Sequence, residues 1–212
     1  MTRSLVMLSG GIESTVLLRM LPDRGRTPVA ITFDYAQRGA VLERRAAEMQ
    51  CADAGLPPPA CIDLRAVGES FRKTNRLHIP LPHRNLVLLS LSLGWATTHD
   101  CSEVALGLTR EDFQKDAEFA SAGESVRYTT GTEAFCRHFR TLAEHVAPGV
   151  ELTLPFAAME KHEVILEAQR LGVDLSRTYS CMRASPSGRH CGTCLQCVSR
   201  RAAFKAAELG EA

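Results

Sequence analysis

Hydroxyl side chains and two adjacent glycines near the N-terminus have the composition of a phosphate-binding loop. Residues 9–15 read Ser-Gly-Gly-Ile-Glu-Ser-Thr and directly follow the apolar run of residues 5–8. Adjacent glycines between a strand and a helix let the backbone approach a ligand closely, and the helix start offers unpaired N–H groups and a positive dipole end. The Gly-Lys-Ser/Thr of a Walker A loop and the third glycine of a dinucleotide fingerprint are both missing. The segment therefore favours a pyrophosphate loop over the alternative of an ordinary helix N-cap.

A second chemical pattern near the C-terminus has the spacing Cys-x9-Cys-x2-Cys-x2-Cys and consists of Cys181, Cys191, Cys194 and Cys197. An x2 spacing lets two thiolates reach one tetrahedral metal ion from a tight turn, and four thiolates close a structural zinc site. Gly188 and Gly192 suit the sharp turns that such a site requires. An iron–sulfur cluster also takes four thiolates, and unligated thiols are the remaining alternative. The spacing favours structural zinc with no open coordination position.

The other four cysteines have no partners at metal-ligand spacing: Cys51, Cys61, Cys101 and Cys136. In a reducing compartment, eight cysteines do not indicate a disulfide framework. Isolated thiols of this kind usually pack in the core as small apolar groups. We therefore expect each of the four to be buried.

Length and composition limit the classes of protein that fit. The 212 residues suit one large domain or a domain with a small appendage, and 45% of them are hydrophobic. With 25 basic and 24 acidic residues, the net charge is only +1, which argues against a dedicated nucleic-acid binder. No apolar run approaches the ~18 residues of a membrane span, and the N-terminus leads into a strand rather than a signal peptide. We expect a cytoplasmic protein with no membrane partner.

Short apolar runs alternate with stretches of helical character along the chain. This alternation is typical of a parallel sheet covered by helices on both faces. The predicted strands are residues 5–8, 29–33, 60–64 and 104–108, with a further short segment near 151–154. The predicted helices are residues 14–21, 41–54, 84–98, 133–146 and 161–171. Residues 65–82 are predicted as a long active-site loop, and residues 111–132, which lack clear periodicity, as a second loop or lid.

Three polar segments follow predicted strands directly. They are the loop at residues 9–15, the pair Asp34 and Tyr35, and residues 107–112. In open α/β sheets, ligands bind outside the carboxyl ends of the strands. We expect these segments to converge on one crevice, which strengthens the interpretation of the loop as a phosphate site.

The order and spacing of these segments resemble the 7-cyano-7-deazaguanine synthase (QueC) family, within the adenine nucleotide α-hydrolase-like, pyrophosphate-loop ATPases. The resemblance runs over nearly the full chain. Besides the loop and the cysteines, it is carried by Phe33-Asp34-Tyr35-Ala36-Gln37-Arg38, Pro82-His83-Arg84-Asn85, Gly107-Leu108-Thr109-Arg110-Glu111-Asp112, Lys161 and Thr178-Tyr179-Ser180-Cys181. It implies a Rossmann-like (HUP) α/β fold with a five-stranded parallel sheet and helices on both faces. Residues 1–175 would form the ATP-binding domain and residues 176–212 a small zinc-binding segment.

The resemblance also implies a reaction. Members of the family activate 7-carboxy-7-deazaguanine with ATP, let ammonia attack, and carry a bound zinc ion. The acid's carboxylate would attack the ATP α-phosphate to give an acyl-adenylate and pyrophosphate, ammonia would displace AMP, and a second activation would dehydrate the amide to a nitrile. Fixed donors and cations must meet the charge that develops on the phosphates, and Mg²⁺ is expected with ATP.

Four residues are expected to be catalytic by this resemblance: Ser9, Glu13, Arg84 and Lys161. Arg84 and Lys161 are the proposed counter-charges to the phosphates, and a solvated surface position is the structural alternative for each. Asp34 and Tyr35 would face the nucleotide or simply begin a turn. The nucleotide is expected to contact Leu8, Ser9, Gly10, Gly11, Glu13, Ser14, Thr15, Phe33, Asp34, Tyr35 and Gly107.

The chain departs from the family pattern in places that concern the substrate. Glu13 stands where the family's loop ordinarily has Asp, which moves the charge by about one methylene. The family's Gly-Tyr-Pro-Asp-Cys-Arg motif, associated with the deazaguanine base, is absent after Asp112. Gly39 and His83 also replace residues typical of the flanking motifs. Phosphate chemistry therefore transfers to this chain better than substrate identity.

Three other functions stay open: a ligase that joins a deazapurine acid to another amine such as that of a protein partner, a tRNA-modifying pyrophosphatase, and a non-catalytic nucleotide-binding subunit. The net charge of +1 argues against a protein that binds tRNA. The basic residues of the tail are interpreted as a solvated helix end: Arg183, Arg189, Arg200, Arg201 and Lys205. The expected partners are a small carboxylic acid and ammonia. The family resemblance also implies a homodimer.

Overall fold

Five parallel strands form one sheet in the computed structural model, which describes residues 2–72, 81–121, 129–183, 185 and 187–211. The strand order is β3-β2-β1-β4-β5. The strands are β1 (Thr2–Met7), β2 (Arg26–Asp34), β3 (Ala60–Asp63), β4 (Cys101–Ala105) and β5 (Glu151–Thr153). The chain builds outwards from β1 to β3 and then returns to the other side of β1 for β4. This reversal opens a crevice at the carboxyl ends of β1 and β4, where ligands bind in sheets of this type.

Eight helices lie in the described part of the chain. They are α1 (Ile12–Met20), α2 (Ala40–Asp53), α3 (Arg65–Arg72), α4 (Arg84–Thr98), α5 (Arg110–Ser121), α6 (Glu133–Val146), α7 (Lys161–Arg170) and α8 (Leu195–Ala206). Short 3₁₀ turns cover Pro22–Arg24, Thr129–Gly131 and Leu175–Arg177. Of the helices in these described ranges, none is long and apolar enough to cross a membrane.

Strand β1 separates two hydrophobic cores, because its successive side chains point to opposite faces of the sheet. Val6 packs with α1, α7 and the Phe204 side chain of α8 on one face. Leu5 and Met7 pack with α4 and α6 on the other. Both faces are therefore buried, as expected for a parallel sheet. The division of the chain at residues 175 and 176 stays a prediction, although α8 shares the first of these cores.

The predicted five-stranded α/β sheet is confirmed, and the predicted strands and helices lie within a few residues of the observed ones. Helices α4 and α6 have the predicted bounds. The two predicted loops are wrong at residues 65–72, which form α3, and at residues 111–121, which belong to α5. Residues 81–82 and 129–132 of the same predictions lie in turns. Residues 73–80 and 122–128 of those predictions lie outside the described residues.

The beginning of α5 explains why its helix was missed. Thr109 and Asp112 form a local cap: the Asp112 carboxylate accepts hydrogen bonds from the Thr109 backbone N–H at 3.0 Å and from the Thr109 hydroxyl at 2.8 Å. A threonine followed three residues later by an acid is a helix-start signal that the sequence does contain. Because α5 is rich in charged residues, it has no clear apolar periodicity from which a helix could be predicted.

The prediction for the isolated cysteines holds for three of the four. Cys51, Cys101 and Cys136 are buried, but Cys61 is exposed. Cys61 lies on β3, and β3 is an edge strand of the sheet, so one side of it has no neighbouring strand to cover it. A prediction from residue type alone could not have distinguished the edge strand from the central ones.

Candidate functional site

The loop after β1 is held in place by a close approach that only glycine permits. Gly10 has a φ of 75°, in the left-handed region that favours glycine. A Cβ at this position would lie 2.6 Å from the Glu43 carbonyl oxygen and 2.7 Å from the Ala46 Cβ, both on α2. On its other side, the Gly10 carbonyl accepts a hydrogen bond of 2.8 Å from the Tyr179 backbone N–H. The loop is therefore fixed between α2 and the C-terminal segment.

Hydroxyl groups of the loop form a small network at the start of α1. The Ser9 and Ser14 hydroxyl oxygens are 3.1 Å apart, and the Gly11 N–H donates to the Ser9 hydroxyl at 3.3 Å. Ser9 is exposed, whereas Thr15 is fully buried and its hydroxyl has no hydrogen-bond partner among the described residues. No side chain caps α1. The free N–H groups and hydroxyls of this helix start can therefore donate to an anion.

Lys161 and Glu13 form an ion pair at the start of α1. The Lys161 Nζ lies 2.8 Å from the Glu13 Oε1, and Lys161 is only 5% exposed. Lys161 is the first residue of α7, whose start is fixed by a capping box between Glu160 and Glu163. Burial alone would lower the pKa of Lys161, but the carboxylates of Glu13 and Asp112 outweigh it and raise the pKa above its usual value. Lys161 is therefore a charged ammonium inside the site, and its solvated alternative is wrong.

Two further residues of the loop after β4 approach the same ion pair. A Cβ on Gly107 would lie 3.1 Å from both the Glu13 carbonyl carbon and the Glu13 Cβ, so this loop packs directly on α1. The pKa of Asp112 is raised by burial and by the negative charge of Glu13, while Lys161 opposes the shift. The predicted convergence of residues 9–15 and 107–112 is therefore present in the structure.

The loop after β2 brings Tyr35 and Arg84 together. The Arg84 Nη1 donates to the Tyr35 hydroxyl at 3.4 Å, and its Nε donates to the Asn85 Oδ1 at 3.3 Å. Burial raises the pKa of Tyr35, and the neighbouring Arg84 charge opposes that rise. Arg84 is half-buried and faces Tyr35, so it is not the freely solvated surface charge of the alternative interpretation.

Asp34 begins a turn, which was one of the two predictions for this residue. Its Oδ1 accepts a hydrogen bond of 3.1 Å from the Ala36 N–H, and Ala36 has a φ of 61°. Gln37 then closes the turn, because its Nε2 donates to the Phe33 carbonyl at 3.0 Å and to the Glu43 carboxylate at 2.9 Å. Sequence reasoning assigned no positioning role to Gln37 and Glu43. The turn presents the end of β2 beside the glycine loop.

The four clustered cysteines meet as predicted. Their sulfur atoms all lie within 4.8 Å of one another. The Cys191 and Cys197 sulfurs are 3.9 Å apart and those of Cys194 and Cys197 are 3.4 Å apart. Tetrahedral zinc with bonds of about 2.3 Å separates its sulfur ligands by about 3.8 Å, so the cluster fits such an ion. Gly188 and Gly192 have φ of 72° and 73° at the flanking turns.

Backbone N–H groups favour thiolates in this cluster. The Cys194 N–H donates to the Cys191 sulfur at 3.3 Å, and the Cys191 and Arg183 N–H groups donate to the Cys181 sulfur at 3.4 Å. Hydrogen bonds from Thr193 and Cys194 lower the pKa of the Cys191 thiol to about 5. Burial raises that of Cys197 to about 12. A metal ion bound to the cluster would neutralise its charge and offset the free-energy cost of burying thiolates.

Arg200 was predicted to belong to a solvated helix end, and this prediction is wrong. It is completely buried, and its guanidinium donates to the Thr178 hydroxyl at 2.7 Å and to the Leu175 carbonyl at 2.9 Å. It also lies over the Phe204 ring, 5.1 Å from its centroid. Arg183, Arg189, Arg201 and Lys205 are exposed, as predicted. Arg200 fixes the segment before Tyr179, which in turn contacts the glycine loop.

The fold and the site define the class of this protein: a parallel α/β protein with a glycine loop at the carboxyl end of β1, beside the crevice between β1 and β4. The chain belongs to the QueC family, because the sequence profile described as "Queuosine biosynthesis protein QueC" matches residues 3–208. It is therefore related to enzymes of the QueC type.

Individual relatives agree with this assignment. A 7-cyano-7-deazaguanine synthase from Ralstonia nicotianae is 32% identical, over 97% of this chain and 95% of its own length. A protein of the same name from Ectopseudomonas mendocina is 30% identical, over 99% of this chain and 96% of its own length.

Two solved structures share the fold at low sequence identity. The U34-tRNA thiolase NcsA from Methanococcus maripaludis, with its 4Fe–4S cluster, has a TM-score of 0.59 and 14% identity, covering 98% of this chain and 73% of its own. A 4-thiouridine synthetase in complex with RNA and bound ATP has a TM-score of 0.53 and 17% identity, covering 81% of this chain and 41% of its own.

Proposed function

We propose that this protein is an ATP-dependent synthase that adenylates 7-carboxy-7-deazaguanine, or a closely related acid, and converts it with ammonia to a nitrile. Family membership and the names of its relatives support the product. The observation that carries the ATP chemistry is the Lys161–Glu13 ion pair, which lies in the first turn of the helix that follows the two glycines. A buried ammonium beside free N–H donors suits the negative charge of a triphosphate.

The first step would join the acid to AMP. A carboxylate oxygen of the acid attacks the ATP α-phosphorus, the α–β phosphoanhydride bond breaks, and pyrophosphate leaves. The loop from Ser9 to Thr15 would donate to the departing pyrophosphate, and Lys161 and Arg84 would meet the charge on the phosphates. Glu13 would hold Lys161 in position. These roles require groups fixed before the substrate arrives, and the contacts around Gly10 provide that rigidity.

The second step would replace AMP by ammonia. The ammonia nitrogen attacks the acyl carbon, AMP leaves with one oxygen of the original carboxylate, and a proton is lost to give the amide. A second ATP would then activate the amide oxygen in the same site. Loss of AMP and a proton from that adduct leaves the nitrile. Each activation therefore releases one AMP and one pyrophosphate.

Two metal ions would accompany this reaction. Mg²⁺ bound with ATP would neutralise charge on the phosphates. A zinc ion would be held by Cys181, Cys191, Cys194 and Cys197, where four protein ligands leave no position for substrate. Its part would be structural: it would fix the segment whose Tyr179 N–H donates to the Gly10 carbonyl of the loop. The two-part organisation at residues 1–175 and 176–212 belongs to this proposal.

The test is a reaction of the purified protein with ATP, Mg²⁺, 7-carboxy-7-deazaguanine and ammonium, analysed by mass spectrometry. We expect AMP, pyrophosphate, the amide and the nitrile. Lys161→Met is the matched control and should form none of them above background. If AMP forms only when another amine is supplied, that amine takes the place of ammonia in the proposed reaction. The absence of AMP formation from the acid with every amine tried would overturn the proposal.

A further inference from the structure

Asp116 on α5 lies in an unusual position beside the site. Its Oδ2 occupies the space that a side chain on Gly131 would fill, so a Cβ there would overlap the carboxylate. Gly131 belongs to the 3₁₀ turn Thr129–Gly131, which the Asn85 side chain holds by donating to the Thr130 carbonyl at 3.0 Å. The turn and α5 therefore fix the place of this carboxylate.

The Asp116 carboxylate is not satisfied by the protein. It is half-buried and, within the described part of the chain, accepts no hydrogen bond and forms no ion pair. Burial and the charge of Asp112 raise its pKa to about 6, while Arg84 and Lys115 oppose that shift. Its oxygen atoms are not among the buried polar atoms of the described residues that lack a partner, so they are accessible to water or to a ligand. An accessible carboxylate with no protein donor can accept hydrogen bonds from a ligand.

The carboxylate also lies next to the proposed reaction centre. Asp112 interacts electrostatically with Asp116 on one side and with Lys161 and Glu13 on the other. The contacts give the same connection: Asp116 lies against Gly131, and the adjoining Thr130 carbonyl is held by Asn85, whose side chain accepts from Arg84. Asp116 is therefore linked to Arg84, one of the two cations proposed to meet the charge of the phosphates.

We propose that Asp116 recognises the acid substrate by accepting hydrogen bonds from a donor edge of its heterocycle. This inference rests on the proposed function. A 7-deazaguanine base presents a ring N–H and an exocyclic amino group side by side, and the two oxygens of a carboxylate match such a pair of donors. Asp116 is then a specificity-determining residue that touches the substrate away from the reacting carboxylate.

The experiment measures the affinity of two acids by calorimetry. The first is 7-carboxy-7-deazaguanine, and the second is the same acid without the exocyclic amino group. The wild-type protein should bind the first acid about tenfold to a hundredfold more tightly, which is the range for hydrogen bonds to a charged group. Asp116→Asn should lose most of this preference and weaken the first acid by at least about tenfold, while its affinity for ATP stays unchanged.

Two further variants test whether the effect is specific to the Asp116 carboxylate and to its position. Glu118→Gln removes an exposed carboxylate from the same helix and should leave both affinities unchanged. Gly131→Ala displaces the Asp116 carboxylate without removing it and should reproduce the loss of preference. The inference is overturned if Asp116→Asn binds ATP and both acids as the wild type does. If the wild-type protein binds neither acid, the proposed function fails, and this inference fails with it.

Discussion

The Lys161 ammonium lies 2.8 Å from the Glu13 carboxylate, and both groups are largely removed from water. Glu13 comes from the first turn of α1 and Lys161 from the first residue of α7, so the pair joins two helices that pack on the same core. Breaking a buried pair by removing one partner costs about 3–5 kcal/mol, because it strands the other charge. The pair stabilises the fold, the proposed function gives Lys161 a chemical role as well, and the two roles can be separated by experiment.

Lys161→Met should lower the rate of AMP formation by at least about a hundredfold and lower the Tm, because Glu13 loses its partner. In the double variant Glu13→Gln/Lys161→Met, the unpaired Glu13 charge is removed. We expect its Tm to return towards that of the wild type while AMP formation stays low. Thermal denaturation and a pyrophosphate-release assay measure the two effects. Recovery of activity together with stability would show that Lys161 has no part in the chemistry.

Gly10→Ala should reduce the affinity for ATP by at least about a hundredfold, because the added methyl would push the loop away from α2. Gly25→Ala is the matched control. Gly25 has a φ of 68°, close to the 75° of Gly10, but a Cβ there meets no atom within 4 Å. The control therefore carries only backbone strain, about 1 kcal/mol, and should bind ATP normally. Equal effects of the two substitutions on ATP affinity would contradict the close-approach explanation.

The cysteine cluster should hold one zinc ion per chain. Cys181→Ser should lose it and lower the Tm by about 10 °C, since each kcal/mol shifts the Tm of a chain this size by ~2–4 °C. ATP affinity should also fall, because Tyr179 donates to Gly10 two residues before Cys181. Cys61→Ser, at an exposed cysteine, should change neither property. Elemental analysis that finds iron and a visible absorption band would instead indicate an iron–sulfur cluster.

The affinity for the acid should depend on pH through Asp116. Its pKa is raised to about 6, so the carboxylate is ionised above pH 6 and loses acceptor capacity as the pH falls below it. Binding should weaken about tenfold between pH 7 and pH 5. Within the described residues, the groups that interact with Asp116 are Asp112, Lys115, Arg84 and the Cys136 thiol, whose own pKa is raised to about 11 by burial. Asp116→Asn should flatten the profile, and an unchanged profile would assign the dependence to another group.

The sequence predicted those parts of the fold that follow from local chemistry. Helices α4 and α6 have long apolar patterns, and their bounds were predicted to the residue. The four cysteines were brought together by a spacing that one metal ion requires. The glycine loop was recognisable because a strand, two glycines and hydroxyl residues occur in immediate succession.

The errors concern residues whose environment is set by distant parts of the chain. Arg200 has the charge of a solvated residue, yet it is buried because Thr178 and the Leu175 carbonyl satisfy its guanidinium. Residues 65–82 were predicted as a loop because they are polar and interrupted by proline, but residues 65–72 form α3, whose Gly68 lies directly against the Tyr35 carbonyl. Neither contact is visible in the local sequence. Asp116 was missed for the same reason, because its significance depends on Gly131, which lies beyond the helix.

In the proposed reaction, a carboxylate oxygen of the acid attacks the α-phosphate of ATP. An isotope experiment tests this step: 7-carboxy-7-deazaguanine is supplied with both carboxylate oxygens replaced by ¹⁸O, and the label is followed by mass spectrometry. We expect each AMP released to carry one ¹⁸O atom and the nitrile to carry none from the carboxylate. AMP without label, or ADP and phosphate in place of AMP and pyrophosphate, would contradict the proposed step.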